Sequence, residues 1–411
     1  MNVEQLKGKT VGAAVSGGLD SCTITRWLVD HGVNVVCFTA DLGQPDEKNV
    51  DEIRERMLAS GTQEAMIVDA KDALAMAGLK VIQCQAMYEG GYWNTTGIAR
   101  HITVKALIPE MRQRDITILG HGCTGRGNDQ VRFQLAANML DPEVSVYAPW
   151  RDPAFLDEFG GRKEMIDFCN ARGLPVTATH EKPYSTDANL LGLTHEAGRL
   201  ESLKTPARFI TPGMGIHPED APDEVEYFTV AFSRGIPVEI NGSPTTPLQA
   251  ILEANRIGGR NGVGIGIHTV ENRFVGIKSR GVYESPGMEL LGKCYEYLLQ
   301  LILDRRARRV FNHVSDTVAE QIYQGYWFDP ATQSLLASIE PYTRLAQGTI
   351  TVGLYKGNVS FHSAGGVRHS IYSEETASME AIGDFDHTDS EGFVSVLGVG
   401  ARALAVGGQI E

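Results

Sequence analysis

The stretch TVGAAVSGGLDSCTITRWLVDHG, residues 10–32, decides how the rest of the chain is read. Its first six residues are small or β-branched, which suits a buried strand. Leu19, Thr23 and Trp27, with Ile24 and Leu28, then recur at helical spacing, and Gly32 stops the run. The junction lacks the lysine and the G-x-x-x-x-G-K-[ST] order of a P-loop, so a kinase-type loop is excluded. It still places unpaired backbone N–H groups at the positive end of a helix dipole. Gly17 and Gly18 let a phosphate approach, Ser16 and Ser21 offer hydroxyls, and Asp20 can hold a magnesium ion bridging phosphates. A plain strand-to-helix turn with an Asp/Ser cap fits the same residues, and spacing alone does not separate the two.

Further along, VNVVCFTADLG (33–43) reads as a second buried strand and VDEIRERMLASG (50–61) as an amphipathic helix. AMIVDA (65–70) predicts a third strand, GIARHITVKALIPEMRQR (97–114) a long helix, and DITILGHG (115–122) a short strand running into glycines. This βα rhythm, which predicts a parallel α/β sheet, continues to about residue 172. A second glycine-rich stretch, GHGCTGRGNDQVRF (120–133), again leaves a strand and opens a helix. Asn128 and Asp129 are expected to cap that helix, with Arg132 on the same face as Asn128; the bland alternative is a capped surface helix. Two such loops converge on the carboxyl edge of one sheet, where open α/β sheets bind ligands, and this favours a phosphate cradle over a mere turn.

After residue 172 the texture changes. Pro175, Pro183, Pro206, Pro212, Pro218 and Pro222 punctuate strand-like runs such as EVEYFTVAF (224–232) and IPVEING (236–242). Helical signal returns at PLQAILEANRIGG (247–259) and through 287–325, and ITVGLYKGNVSFHS (350–363) reads as a hairpin turning at Lys356-Gly357-Asn358. The last residues, VLGVGARALAVGGQIE (396–411), carry too many glycines to predict a long regular helix. The six cysteines are scattered with no C-x-x-C pair, as expected of buried free thiols. The 411 residues carry a net charge of -14, which argues against a bulk nucleic-acid or anionic-membrane binder. With no span of about 20 apolar residues and no signal-peptide pattern, a cytoplasmic location is expected.

GNDQVRF (127–133), APW (148–150), YSTDANLLGLTHEAG (184–198) and ENRFVGIKSRGVYESPG (271–287), in that order after SGGLDS, resemble the argininosuccinate synthase family of N-type ATP pyrophosphatases. Weaker similarity continues through YQGYWFDP and TDSEGFVSV. The resemblance implies an α/β protein in three parts. Residues 1–172 would form a mostly parallel-sheet nucleotide-binding domain, adenine nucleotide alpha hydrolase-like; 173–392 an α+β synthetase domain; and 393–411 a C-terminal oligomerisation tail of a homotetramer. It implies ligation of L-citrulline to L-aspartate through a citrullyl-adenylate, with ATP and Mg²⁺ used and AMP and pyrophosphate released.

Matched position by position, Ala14, Ser16, Gly17, Gly18, Leu19, Asp20, Ser21, Cys22, Ala40 and Gly122 fall on the ATP site. Tyr92, Gly97, Asn128, Arg132, Ser185, Thr194, Glu271 and Tyr283 fall on the citrulline site, and Thr96, Thr124, Asn128 and Asp129 on the aspartate site. Asp20, Asn128, Asp129 and Arg132 carry the catalytic expectation, with Arg132 able to fork onto a carboxylate. No residue stands out as the base for the aspartate amine. Val15, Ser21, Cys22, Gly97 and Arg126 depart from the family's usual residues. Among rival readings, a glutaminase-linked ligase is disfavoured because Asn2 follows Met1 where a cysteine nucleophile would stand, and a tRNA thiolase by the acidic, cysteine-poor chain. A non-catalytic nucleotide sensor is disfavoured because Ser16, Asp20, Asn128, Asp129 and Arg132 are all present.

Overall fold

The computed structural model describes residues 1–47, 49–176, 183–380 and 386–410. Helix α1 (Val3–Leu6), closed by a capping box between Asn2 and Gln5, leads into β1 (Thr10–Ala14). There follow α2 (Leu19–Asp30), β2 (Asn34–Asp41), α3 (Asp51–Ala59), β3 (Glu64–Asp69), α4 (Lys71–Cys84), α5 (Thr95–Arg112) and β4 (Ile118–His121). Next come α6 (Asp129–Leu140), β5 (Ser145–Tyr147), α7 (Pro153–Glu158) and α8 (Arg162–Ala171). Among the described residues these strands form one parallel sheet in the order β3-β2-β1-β4-β5. The chain winds from β1 towards one edge, then crosses back to lay β4 on the other side of β1. A crevice opens at such a switch point, beyond the carboxyl ends of the two strands, and both glycine loops start there.

Helices cover both faces, as a parallel sheet requires. One face buries Trp27 and Leu28 of α2 with Phe155 of α7 and Phe168 of α8; the other buries Phe38 with Leu107 and Met111 of α5 and Phe133 of α6. The sequence reading passes over α4, because Leu74, Ala75, Leu79, Val81 and Ile82 are buried nearly all round it and no amphipathic stripe marks the helix.

Beyond α8 lie β6 (Ser185–Asn189), β7 (Gly192–Glu196), β8 (Glu226–Ser233), β9 (Ile236–Ile240), β10 (Ser243–Pro244), α9 (Pro247–Arg260), β11 (Ile265–Asn272) and β12 (Lys278–Glu284). Then come α10 (Pro286–Ile302), α11 (Arg305–Gln324), α12 (Pro330–Leu345), β13 (Gly348–Tyr355) and β14 (Asn358–Gly365). The strands form two antiparallel sheets, β10-β9-β8-β13-β14 and β11-β12-β7-β6. The expected helical run 287–325 is two helices, since the Asp304 carboxylate accepts from the Ala307 N–H at 2.7 Å and starts α11 afresh. The expected hairpin turns on Lys356 and Gly357, whose φ of 48° and 81° are the two positive values of a type I′ turn, while Asn358 already pairs with Tyr355. The largest apolar cluster joins α4, α9, α10 and α11 to the inner face of the β8–β13 sheet. Because α4 comes from the first half of the chain, the two halves share this core.

The described chain divides into two compact units, Met1–Arg368 and His369–Glu411. The second holds α13 (Glu374–Ala377) and α14 (Asp389–Val406). The expectation against a long helix in the tail is corrected: α14 runs 18 residues through Gly392, Gly398 and Gly400. Each glycine costs about 1 kcal/mol against alanine, but the A-R-A-L-A run and an acidic first turn with Asp389 and Glu391 favour the helix. The expected tail boundary at 393 falls inside it. All six cysteines are free, with Cys123 alone among them partly exposed. Among the described residues no helix is long and apolar enough to cross a membrane.

Candidate active site

The first glycine loop is built from the end of β1. The Ser16 N–H donates to the Ser21 hydroxyl at 3.0 Å, which folds the loop back on the first turn of α2. Gly17 has φ +73°, and a Cβ there would lie 2.8 Å from Ile53, so both conformation and space demand glycine. Gly18 is the N-cap of α2 and supplies no side chain, which leaves the helix end open to an anion. In that first turn the Asp20 carboxylate accepts from the Trp150 indole N–H at 3.2 Å, and burial raises its pKa. Leu19 and Cys22 are buried on the core side of α2, with the Cys22 thiol against the Gly17 carbonyl at 3.9 Å. Cys22 therefore presents no side-chain donor to the cleft.

The second loop leaves β4 at His121, directly beside Ala14 in the register. The Cys123 N–H donates to His121 Nδ1 at 3.2 Å, so in the neutral ring Nε2 carries the proton; burial pushes the pKa down to about 3. The expected capping of α6 by Asn128 and Asp129 does not occur. Asn128 has helical φ and ψ, and its Oδ1 instead accepts from the Phe274 N–H at 2.8 Å. The Asp129 carboxylate accepts from Arg100 Nε at 2.9 Å and Arg132 Nη1 at 2.8 Å. Burial alone would raise its pKa, but the two guanidinium groups win and hold it below the usual carboxylate range. Arg132 donates from Nε (3.0 Å) and Nη2 (2.7 Å) to the Tyr323 carbonyl. The fork expected for a substrate carboxylate is thus spent on the backbone of α11, and two of its five N–H groups remain.

The opposite wall is one face of the β11-β12-β7-β6 sheet. Its ladders place Glu271 opposite Ser279, Tyr283 opposite Thr194, Thr194 opposite Asp187, and Glu196 opposite Ser185 and Gly281. Residues two apart share a face, so Glu271, Tyr283, Thr194, Glu196, Asp187 and Ser185 form one polar surface. A Cβ on Gly281 would sit 2.2 Å from the Tyr283 hydroxyl, so this glycine lets the phenol lie back along its strand. There the Tyr283 ring stacks on Tyr92 with centroids 4.1 Å apart, and the Tyr92 hydroxyl accepts from the Thr96 N–H at 3.0 Å. Thr96 and Thr194 share a hydrogen bond of 2.9 Å. The Tyr323 hydroxyl donates to Glu271, and Arg100 donates to Asp187. Arg273 donates to Glu196 at 3.3 Å and to the Arg126 carbonyl at 3.3 Å, tying this wall to the second loop. On the other face of the sheet His195 and Glu284 are joined at 2.6 Å, and Glu284 also accepts from the Gly213 and Met214 N–H groups, which fixes the sheet to the loop behind it.

Between these walls lies a cleft of about 450 Å³. Ala14, Ser16, Asp20, Ser21, Ala40 and Gly122 line one end, and Tyr92, Thr96, Thr124, Asn128, Asp129, Arg132, Thr194, Glu271 and Tyr283 the other. The structure does not bring Gly17, Gly18, Leu19, Cys22, Gly97 or Ser185 to the lining. Gly97 faces away, since a Cβ there would meet the Ile322 carbonyl at 3.4 Å and Arg132 Cζ at 3.6 Å; Ser185 is exposed at the start of its strand. Sequence reasoning missed Arg100, His121, Asp187, Glu196 and Arg273, which also line the cleft. Alternation along 185–196 is the signal that could have found Asp187 and Glu196. Among the described residues no three His, Cys, Asp or Glu side chains gather to hold a metal. Asp20 at the phosphate loop therefore suits Mg²⁺ only in the way one carboxylate does when phosphates supply the other ligands.

Two family models match the chain: the Arginosuccinate synthase N-terminal HUP domain over residues 10–175 and the Arginosuccinate synthase C-terminal domain over residues 184–404. The argininosuccinate synthase of Rhodopirellula baltica is 42% identical over 391 residues, covering 95% of this chain and 96% of that protein. That of a Thermotoga species is 37% identical over 400 residues, covering 95% and 96%. The chloroplastic argininosuccinate synthase of Arabidopsis thaliana is 37% identical over 402 residues, covering 97% and 80%.

Proposed function

The chain belongs to the argininosuccinate synthase family, whose members are ATP-dependent ligases of arginine biosynthesis, and on that premise we infer which of its residues meet each reactant. ATP lies with its phosphates against Ser16 and Ser21 at the open N-terminus of α2, in a turn that Gly17 and Gly18 shape from behind the lining, and its adenosine against Ala14, Ala40 and Gly122. The open N-terminus of α2, whose cap has no side chain, supports this. Asp20 would hold Mg²⁺, and the chemistry such an ion would supply there is neutralisation of phosphate charge. L-Citrulline lies along the Tyr92–Tyr283 stack, reached by Thr194 and Glu271 and by the two N–H groups that Arg132 has left. L-Aspartate lies at Thr96, Thr124, Asn128 and Asp129, with its ammonium on the Asp129 carboxylate, which stays ionised between Arg100 and Arg132.

One observation carries this reading: the switch point of the sheet sets the phosphate loop beside a wall of paired tyrosines, hydroxyls and carboxylates within a single cleft. Phosphates at one end and two amino acids at the other put the ureido oxygen near the α-phosphorus and leave the amine to attack afterwards. Catalysis is then largely positioning in a desolvated site. We further infer a homotetramer assembled through the 393–411 tail, a nucleotide-binding part at 1–172 with a synthetase part at 173–392, and a cytoplasmic location. The exposed Phe393, Val394, Val396 and Leu397 of α14 support the role of the tail.

The test is pyrophosphate release from Mg-ATP by the purified protein, with citrulline and aspartate together and each omitted in turn. Release that needs citrulline, with argininosuccinate identified by mass only when aspartate is added, is the expected result. Release indifferent to citrulline overturns the assignment of the amino-acid end.

A further inference from the structure

Four carboxylates face the amino-acid end of the cleft, and among the described residues each has a partner. Asp129 is held by Arg100 and Arg132, Asp187 by Arg100, and Glu271 by the Tyr323 hydroxyl. Glu196 differs. Its side chain is 46% exposed, and among the described residues its ion pair is the 3.3 Å contact from Arg273 to Oε2. That guanidinium also serves the Ser279 hydroxyl at 2.7 Å and the Arg126 carbonyl at 3.3 Å, so its hold on Glu196 is shared. Oε1 accepts no hydrogen bond among the described residues, as is also true of Asp187 Oδ1 and Glu271 Oε1, so what sets Glu196 apart is a side chain more exposed than that of Asp129 or Asp187 and a long, shared contact on its other oxygen. Glu196 stands two residues beyond Thr194 on the same face, and Gly281 opposite it adds no side chain to crowd Oε1.

We propose that Glu196 is the base that takes a proton from the aspartate ammonium before its nitrogen attacks the adenylated ureido carbon; this rests on the placement of that ammonium at Asp129. The freed lone pair forms the carbon–nitrogen bond, and the carbon–oxygen bond to AMP breaks with its electron pair leaving on the phosphate oxygen. One remaining amine proton passes to the ureido nitrogen, which balances a guanidinium product against anionic AMP. The proton on Glu196 returns to solvent through the open side of the cleft. The surroundings of Glu196 suit the task. The surrounding cleft raises its pKa above the usual carboxylate range although the side chain keeps contact with solvent; Arg273 opposes the rise, and Asp129 on α6, Glu271 on β11 and Asp187 on β6 add to it. A base with a pKa near the working pH is the effective kind.

The test separates the two half-reactions in the full-length Glu196→Gln variant. Overall argininosuccinate formation is expected to fall about 100-fold, while citrulline-dependent ATP–pyrophosphate exchange changes by no more than about threefold, since general bases typically contribute 10²–10⁴-fold to the step they serve. The acidic limb of kcat/KM for aspartate should disappear in this variant and return in Glu196→Asp. Full turnover with the limb intact overturns the proposal, and so does an equal loss in both half-reactions, which would leave Glu196 only the task of holding Arg273. The aspartate KM of Asp129→Asn is measured alongside. An unchanged KM overturns the placement of aspartate and the base with it, whereas a raised KM beside full turnover in Glu196→Gln overturns the base alone.

Discussion

Tyr323 is held at three points, and each can be removed separately. Its carbonyl anchors Arg132, its ring stacks on Tyr88 with centroids 3.8 Å apart, and its hydroxyl donates to Glu271. Tyr323→Phe keeps the first two and deletes the third. A hydrogen bond to a charged group is worth about 1.5–3 kcal/mol, so the citrulline KM should rise roughly tenfold or more with the fold intact. The sign of the pH effect follows from the causes. Burial raises the pKa of Glu271 and the Tyr323 hydroxyl lowers it, so losing the hydroxyl raises it further. The acidic limb of the citrulline KM should therefore move to higher pH, and a limb that stays in place counts against the contact. Asp20 makes the complementary case. Because burial raises its pKa, the ionised carboxylate costs the folded state stability above that pKa, and the cost fades as the pH falls through it. Asp20→Asn should thus abolish citrulline-dependent pyrophosphate release while the melting temperature of the nucleotide-free protein at neutral pH stays level or rises. A drop in melting temperature would show that the carboxylate is wanted for structure.

At the scale of elements, the βα repeats were legible because each buried strand and amphipathic helix carries its own period and each glycine loop its own backbone demand. The β11-β12-β7-β6 sheet that walls the cleft was not. Along 185–196 and 265–284 one face is polar because it lines the cleft, and even the opposite face carries His195 and Glu284 joined at 2.6 Å, so the apolar alternation that marks a half-buried strand is weak there. That sheet depends on one missing side chain. Gly281→Ala would place a methyl group 2.2 Å from the Tyr283 hydroxyl and force the ring off Tyr92. An aromatic pair contributes about 0.5–1.5 kcal/mol beyond its burial, so a two- to tenfold rise in citrulline KM is expected, with the KM for ATP unchanged. An ATP KM that rises equally would mean that the strand itself had moved.

At the scale of the whole molecule, every residue lining the cleft lies between Ala14 and Tyr283, inside the Met1–Arg368 unit, whereas α14 belongs to the other. Deleting residues 389–411 should therefore lower the assembly mass seen by light scattering and leave the far-ultraviolet spectrum of the remainder folded. An unchanged mass would remove the tail from assembly. The sequence by itself determined the parallel α/β sheet and the two glycine loops at its carboxyl edge, because periodicity and glycine backbone freedom are local properties of the chain, whereas the residues expected on the facing wall came from the family resemblance. Only the tertiary structure decided how those side chains are paired. Arg132 gives its fork to a carbonyl 191 residues away, Asn128 serves Phe274 rather than its own helix, and Glu196 shares its guanidinium partner with two other groups. Such choices are set by which charges and donors the fold brings within hydrogen-bonding reach, and by the cost of leaving any of them buried without a partner.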